Sequence, residues 1–280
     1  MKVLVTGASG QLGQALQFIA PQYTVMEFVF AGSDEGDICN ALQLKVLFDK
    51  HRPDFCINTA AYTAVDKAES EPDAAQRINV NGTANLAQIC KDYGTTLIHI
   101  STDFVFDGSK NTPYTEEDIT NPQSVYGMTK RDGETAIIKI LEQYYIVRTS
   151  WVYSQFGNNF MKTMLRVAQD RDSLSVVNDQ IGTPTNAVDL ADAILKIIVS
   201  GKKEYGIYNF SNEGETSWYG FAKKIFEVNN ITIDLKPIPT SAYPTPATRP
   251  SYSVLSKQKI KEVFVGLDIK PWDEQIKPQQ

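Results

Sequence analysis

The chain has 280 residues, 42% of them hydrophobic and 21% charged, a globular composition with enough apolar material for a core that needs no metal or disulfide staple. Its formal net charge of −6 excludes the clustered Lys and Arg surface of a nucleic-acid binder, and no apolar run reaches the roughly 18 residues that a membrane-spanning helix requires. Cys39, Cys56 and Cys90 lack paired spacing, and the opening MKVLVTG has no apolar leader, so a reducing cytoplasm is expected; His51 and His99 lack ligand spacing, so no metal is expected.

Apolar runs and helical patterns alternate through the first half. Strands are predicted at 2–7, 24–31, 55–61, 96–102 and 144–153. Helices are predicted at 11–20, 41–51, 72–94 and 125–141, the third closed by Gly94. This order predicts an α/β fold, a Rossmann-like doubly wound parallel sheet whose strands are covered on both faces. Beyond residue 153 the pattern loosens. Helices are expected at 157–169, 187–201 and 217–230, and strands at 173–179 and 205–212. The proline-rich stretch 235–253 is expected to run extended on a smaller C-terminal substrate-binding lobe. The expected division is a dinucleotide-binding domain over 1–153, with 173–201 returning to it, and a lobe built mainly from 154–280.

Gly7, Gly10 and Gly13 lie between the first strand and the first helix in VTGASGQLG. In that position the first glycine permits a tight turn, the second admits a pyrophosphate, and the third lets helix and sheet pack closely. The helix N-terminus adds free N–H groups and partial positive charge. Asp37 and Ile38 are expected beside an adenine, and the small residues Ala60 and Ala61 where a backbone meets a cofactor. The tip of the second strand reads FAGSDE, with acids that favour NADH but no Arg or Lys for a 2′-phosphate; Gly32 leaves room for NADPH, so both stay open.

Tyr126 and Lys130 share one face of the helix at 125–141. A phenol is a weak acid near neutral pH, and an adjacent ammonium would make it a better one. Taken alone the pair is more often surface helix than catalytic machinery. Here it follows a strand that ends in Ser101 and Thr102 at the carboxyl edge of the sheet, where a hydroxyl can hydrogen-bond a substrate carbonyl. His99, inside that strand, reads as a core residue.

On GQLG (10–13), NTAAYTAVDKAESEP (58–72), STDFVFDG (101–108), NPQSVYGMTK (121–130), RTSWVY (148–153), GNNF (157–160), DQIGTPT (179–185) and RPSYSVL (249–255), the chain resembles the extended short-chain dehydrogenase/reductases, and among them the dTDP-4-dehydrorhamnose reductases. The resemblance implies NAD(P)H-dependent reduction of the 4-keto group of dTDP-4-dehydro-L-rhamnose. It implies Thr102, Tyr126 and Lys130 as catalytic residues, with Tyr126 the proton donor. Gly10, Gln11, Leu12, Asp37, Ile38, Ala61, Tyr62 and Thr63 would line the cofactor, with Tyr126 and Lys130 also touching it. Thr102, Asp103, Val65, Asp66 and Trp151 would border the substrate, with Asn159 and Arg249 on its nucleotide-sugar side. Some relatives dimerise through magnesium held by a glutamate on the first helix; Gln14 and Ala15 stand here instead, so magnesium is doubtful and a monomer or weak homodimer is expected. Two other readings stay open. One is a related 4-keto-6-deoxy nucleotide-sugar reductase or epimerase. The other is a non-catalytic dinucleotide-binding subunit of the kind that regulates methionine adenosyltransferase. A dehydratase is disfavoured because Phe104, not an acid, follows Asp103.

Overall fold

The computed structural model describes residues 1–278. Strands β1 (Lys2–Thr6), β2 (Glu27–Ala31), β3 (Phe55–Asn58), β4 (Thr96–Thr102) and β5 (Tyr144–Thr149) form one sheet with an edge strand, Gly206–Asn209. The order is Gly206–Asn209, β5, β4, β3, β1, β2, and every pairing is parallel.

Successive strand residues point to opposite faces, and both faces are covered. Val3 and Val5 pack under the helices Gln11–Ile19 and Ala187–Val199, together with Ile98 and Val147. Leu4 packs on the other face with Cys56, Leu97 and Ile146, under the helices Ala41–His51, Thr83–Tyr93 and Val125–Ile140. Because β1 lies between β2 and β3, the chain turns to opposite sides after β1. A crevice opens there at the carboxyl ends of the strands, the usual ligand position in such a sheet.

The lobe has its own core. Helices Phe160–Asp170 and Trp218–Val228 pack through Met161, Met164, Phe221 and Ile225 on a parallel pair, Ser173–Val177 with Asp234–Ile238. Of the stretch 173–201, the helix Ala187–Val199 therefore packs on the main sheet, whereas Ser173–Val177 pairs within the lobe. The main sheet also draws its edge strand from the second half of the chain.

Four predicted elements differ. The strand expected at 24–31 starts at Glu27, after a turn in which Met26 N–H donates to Tyr23. The strand expected at 55–61 stops at Asn58 and gives way to an irregular segment. The helix expected at 72–94 is three pieces, Pro72–Gln76, a π-helical turn Arg77–Gly82, and Thr83–Tyr93 closed by Gly94 at φ +68°. That widened turn sits where neighbours crowd: a Cβ on Gly82 would lie 2.7 Å from Ile38, and one on Gly133 would strike the Asn79 carbonyl. The strand expected at 144–153 ends at Thr149; Trp151 takes φ +46°, and Val152–Tyr153 pairs with Thr185–Asn186 as the chain enters the lobe.

The proline-rich stretch is strand and loop, as expected, with strand at Asp234–Ile238, a 3-10 turn at Thr240–Ala242 and irregular backbone beyond, but it does not stay on the lobe. Arg249 pairs with Asp66, Ser251 Oγ donates to the Gly108 carbonyl (3.0 Å), and Tyr114 N–H donates to Val254 (2.8 Å). Among the described residues no helix is long and apolar enough to cross a membrane, and no group of three or more His, Cys, Asp or Glu is placed to hold a metal.

Candidate active site

The crevice beside β1 is a cleft of ≈ 270 Å³ lined by Gly7, Gly10, Asp37, Ile38, Ala60 and Ala61, among others. Gly7 has φ +69°, and a Cβ there would lie 2.5 Å from the Ala60 nitrogen, so only glycine lets the turn and the segment after β3 meet. A Cβ on Gly13 would fall 2.6 Å from Ala8, which brings the first helix down onto the turn. No side chain caps that helix. Its first N–H groups are therefore free to donate to an anion. A narrow floor of small residues and an uncapped helix start fit a dinucleotide pyrophosphate. The segment after β3 is held by Asn79, which accepts from Tyr62 N–H (2.8 Å) and donates to Tyr62 C=O (3.1 Å).

At the end of β4, Thr102 Oγ1 donates to Asp103 Oδ1 (3.1 Å) and accepts from Phe104 N–H (3.2 Å). Tyr126 reaches this point from the start of its helix, which Ser124 caps through Gly127 N–H (3.1 Å) while Glu69 accepts from Val125 N–H (2.8 Å). The Tyr126 ring packs edge-on against Phe104, with centroids 5.7 Å apart. Burial of its hydroxyl pushes the phenol pKa up to about 12; the neighbouring Thr102 hydroxyl works the other way, and the Asp103 charge adds to the rise. The phenol thus keeps its proton at neutral pH.

Asp103 is buried, and among the described residues no hydrogen-bond partner is placed on its Oδ2. Burial lifts its pKa to about 6, against opposing hydrogen bonds from Ser253 and Thr102. A folded-state pKa raised above the unfolded value favours folding at low pH, and that advantage is lost as pH rises through the folded pKa. Asp103→Asn is therefore expected to stabilise the protein at pH 8 by up to about 3 kcal/mol, and the gain should vanish near pH 4. Urea unfolding at the two pH values measures this; an equal effect at both would contradict it.

Lys130 does not face Tyr126 as the helical spacing implied. Its Nζ is buried against the sheet, donates to the Ile100 carbonyl (2.7 Å) and lies 3.2 Å from His99 Nε2. Burial lowers its pKa to about 8, with Glu134 opposing the fall. Glu134 is in turn held by Arg148 (3.0 and 2.7 Å) and by Ser101 Oγ (2.5 Å). His99 is a core residue, and it is also the lysine's partner.

The remaining sequence candidates are spread around this centre. Leu12 is buried behind the turn. Gln11 donates to the Val152 carbonyl (3.0 Å) and accepts from Asn159 (2.8 Å), tying the first helix to the lobe. Asn159 also donates to Ser154 and Phe156 and caps the next helix through Lys162, which engages its whole amide. The Tyr62 phenol donates to Glu71 (2.9 Å), while Thr63 is exposed and Val65 half-buried. Asp66 and Arg249 form a two-pronged ion pair (2.7 and 3.0 Å) rather than standing free. Trp151 stacks on Trp218 with centroids 3.6 Å apart, and a Cβ on Gly182 would lie 2.6 Å from its indole, so packing encloses it.

The family model described as RmlD substrate binding domain matches residues 1–279. A dTDP-4-dehydrorhamnose reductase of Aggregatibacter actinomycetemcomitans is 40% identical, with 99% of this chain and 97% of the relative covered. The chain belongs to the dTDP-4-dehydrorhamnose reductase family. Two solved structures of that description superpose with TM-scores of 0.93. One, from Clostridium acetobutylicum, is 43% identical; the other, from Bacillus anthracis and described in complex with NADP, is 39% identical. Each match covers 98% of this chain and 96% of the other.

Within this reductase-family chain, Asn58, Asn79, Glu134, Arg148 and Ser253 surround the candidate site and escaped the sequence reading. Their partners lie far away in sequence, 41 positions for Asn58 and His99. The one local signal was polar residues inside strands that otherwise read as buried, at Asn58 and Arg148.

Proposed function

We propose that this chain catalyses NAD(P)H-dependent reduction of the 4-keto group of dTDP-4-dehydro-L-rhamnose to dTDP-L-rhamnose, the closing step of dTDP-rhamnose biosynthesis. The observation that carries the proposal is the Thr102–Tyr126 pair, set at the carboxyl end of β4 in a chain that matches curated reductases over its length.

When bound, the nicotinamide supplies the hydride. Gly7, Gly10, Gly13, Gln11, Leu12, Asp37, Ile38 and the Ala60–Thr63 segment form its cradle. Tyr126 donates the proton to the substrate's C4 oxygen, and it can do so because its phenol is fully protonated at neutral pH. Thr102 orients the phenol and hydrogen-bonds the same oxygen as charge develops there. Lys130 attends the cofactor ribose. Val65, Asp103 and Trp151 border the sugar, while Asp66, Asn159 and Arg249 hold the lobe closed over its nucleotide side. The domain division is 1–153 for the cofactor and mainly 154–280 for the substrate, with the working protein a cytoplasmic monomer or weak homodimer.

The test is oxidation of NADH and of NADPH with dTDP-4-dehydro-L-rhamnose and with other 4-keto-6-deoxy nucleotide sugars. Turnover should be highest with the rhamnose precursor. Silence with all of them would overturn the reading.

A further inference from the structure

A run of buried side chains crosses the sheet beneath the candidate site, from Thr6 on β1 through Asn58 on β3 and His99 on β4 to Lys130 on the helix. Its hydrogen bonds fix where the protons are. Asn58 Oδ1 accepts from Thr6 Oγ1 (2.9 Å) and from the Ala60 backbone N–H (3.1 Å). A backbone N–H can only donate, so the atom facing it is the amide oxygen. Asn58 Nδ2 therefore faces His99 Nδ1, at 3.0 Å, and can only donate to it. Nδ1 must then be the bare nitrogen, and the single proton of a neutral imidazole sits on Nε2.

Nε2 lies 3.2 Å from Lys130 Nζ. An ammonium there would set donor against donor. An amine resolves the conflict: its lone pair accepts from Nε2–H while it still donates to the Ile100 carbonyl (2.7 Å). A doubly protonated imidazole is no alternative. It would set Nδ1–H against the Asn58 amide, and burial holds the His99 pKa well below its ordinary value.

We propose that Asn58 and His99 are positioning residues that lock one imidazole tautomer and so ease loss of the Lys130 proton, with the side chain drawn back against the sheet, until a dinucleotide binds. The proposal rests on the reading that Lys130 serves the cofactor. The charged groups about the amine agree with it. Tyr126, one turn earlier on the same helix, is a neutral phenol, and Asp103 is buried beyond it. Glu134, one turn later, favours the ammonium, but Arg148 on β5 already neutralises it through two bonds. Burial dominates, and Lys130 titrates near 8. A phosphate-bearing ligand brings negative charge, which restores the ordinary lysine pKa of about 10.4. Binding must then take up a proton.

Calorimetry of NADPH binding in buffers of different ionisation enthalpy reads that proton directly. The expected uptake is about 0.1 proton per site at pH 7 and about 0.9 at pH 9. Asn58→Asp can accept from Nδ1–H, which turns Nε2 into an acceptor for the ammonium, and should bring the pH 9 uptake close to zero. His99→Gln frees the lysine from the tautomer and should do the same. No uptake by the unaltered protein at pH 9 would overturn the proposal, as would unchanged uptake in both variants. Nitrogen-15 lysine NMR of the cofactor-free protein tests the lock alone. Lys130 should titrate near 8, and about two units higher in Asn58→Asp; an ordinary titration in the unaltered protein sinks the lock. If NADPH fails to bind while Lys130 still titrates low, the lock stands and the reductase reading falls.

Discussion

Replacing Tyr126 with phenylalanine is expected to lower kcat by about 10²–10⁴-fold, the range that a positioned general acid contributes. NADPH affinity should change little. The substitution keeps the ring that packs on Phe104 at 5.7 Å, so the helix start and its Ser124 cap keep their geometry. What it removes is the phenol hydroxyl beside Thr102. Nearby proton sources do not substitute for it. Lys130 Nζ is occupied by the Ile100 carbonyl and His99, and Asp103 is mostly ionised at pH 7. Steady-state kinetics together with cofactor titration decide the matter. A variant with near-normal kcat would remove Tyr126 from the proton-donor role; an equal loss of cofactor affinity would recast it as a structural residue.

The second large effect concerns stability. Glu134→Ala should destabilise the fold by about 3–5 kcal/mol, because it leaves the Arg148 cation buried without its counter-charge. Both side chains are 3% exposed, and among the described residues Arg148 Nη1 has no other partner, so bulk solvent is poorly placed to replace the carboxylate. The Phe106 ring, 5.2 Å from the guanidinium, offers modest compensation. Replacing both residues by apolar side chains of similar volume, Glu134→Leu with Arg148→Met, should cost less than the single change, since neither charge is then stranded. Urea unfolding of the three proteins tests the ordering. A double variant less stable than Glu134→Ala would mean that the pair contributes more than it costs to desolvate.

The sheet was legible because its strands are buried on both sides. TLIHIST and ALQLKVLFDKH match their observed bounds, Thr96–Thr102 and Ala41–His51. The second strand misled because Val25 and Met26 extend the apolar run, yet Val25 is 63% exposed in a turn. Apolarity alone cannot separate strand from turn. The helix at 72–94 misled differently. Its periodicity was sound, but the π-turn lies where Ile38 and the helix carrying Gly133 crowd it from elsewhere in the chain, which local periodicity does not register. The family resemblance was legible from motifs, and the spacing of Tyr126 and Lys130 located one face of one helix. It did not give the direction of the lysine, whose long stem carries Nζ away from the phenol to a histidine 31 positions earlier. Gly7 and Ala60 were legible separately, as a turn glycine and a small residue; only the fold put them in contact.

The segment that carries Arg249, Ser251, Ser253 and Val254 is wedged between the first half of the chain and the lobe. It touches Asp66, Gly108, Asp103 and Tyr114 on one side and exchanges two backbone hydrogen bonds with Ile181 on the other. A ribosome delivers the chain in order, at about 5–20 residues per second. The β1–β5 unit is therefore out roughly 5–20 s before the wedge that finishes its rim. Through that interval Asp103 stays hydrated, Asp66 has no counter-charge, and the site is an open ledge. A nascent or truncated chain that stops short of Arg249 can own every glycine of the turn and the whole tyrosine helix, and still be unable to enclose a sugar.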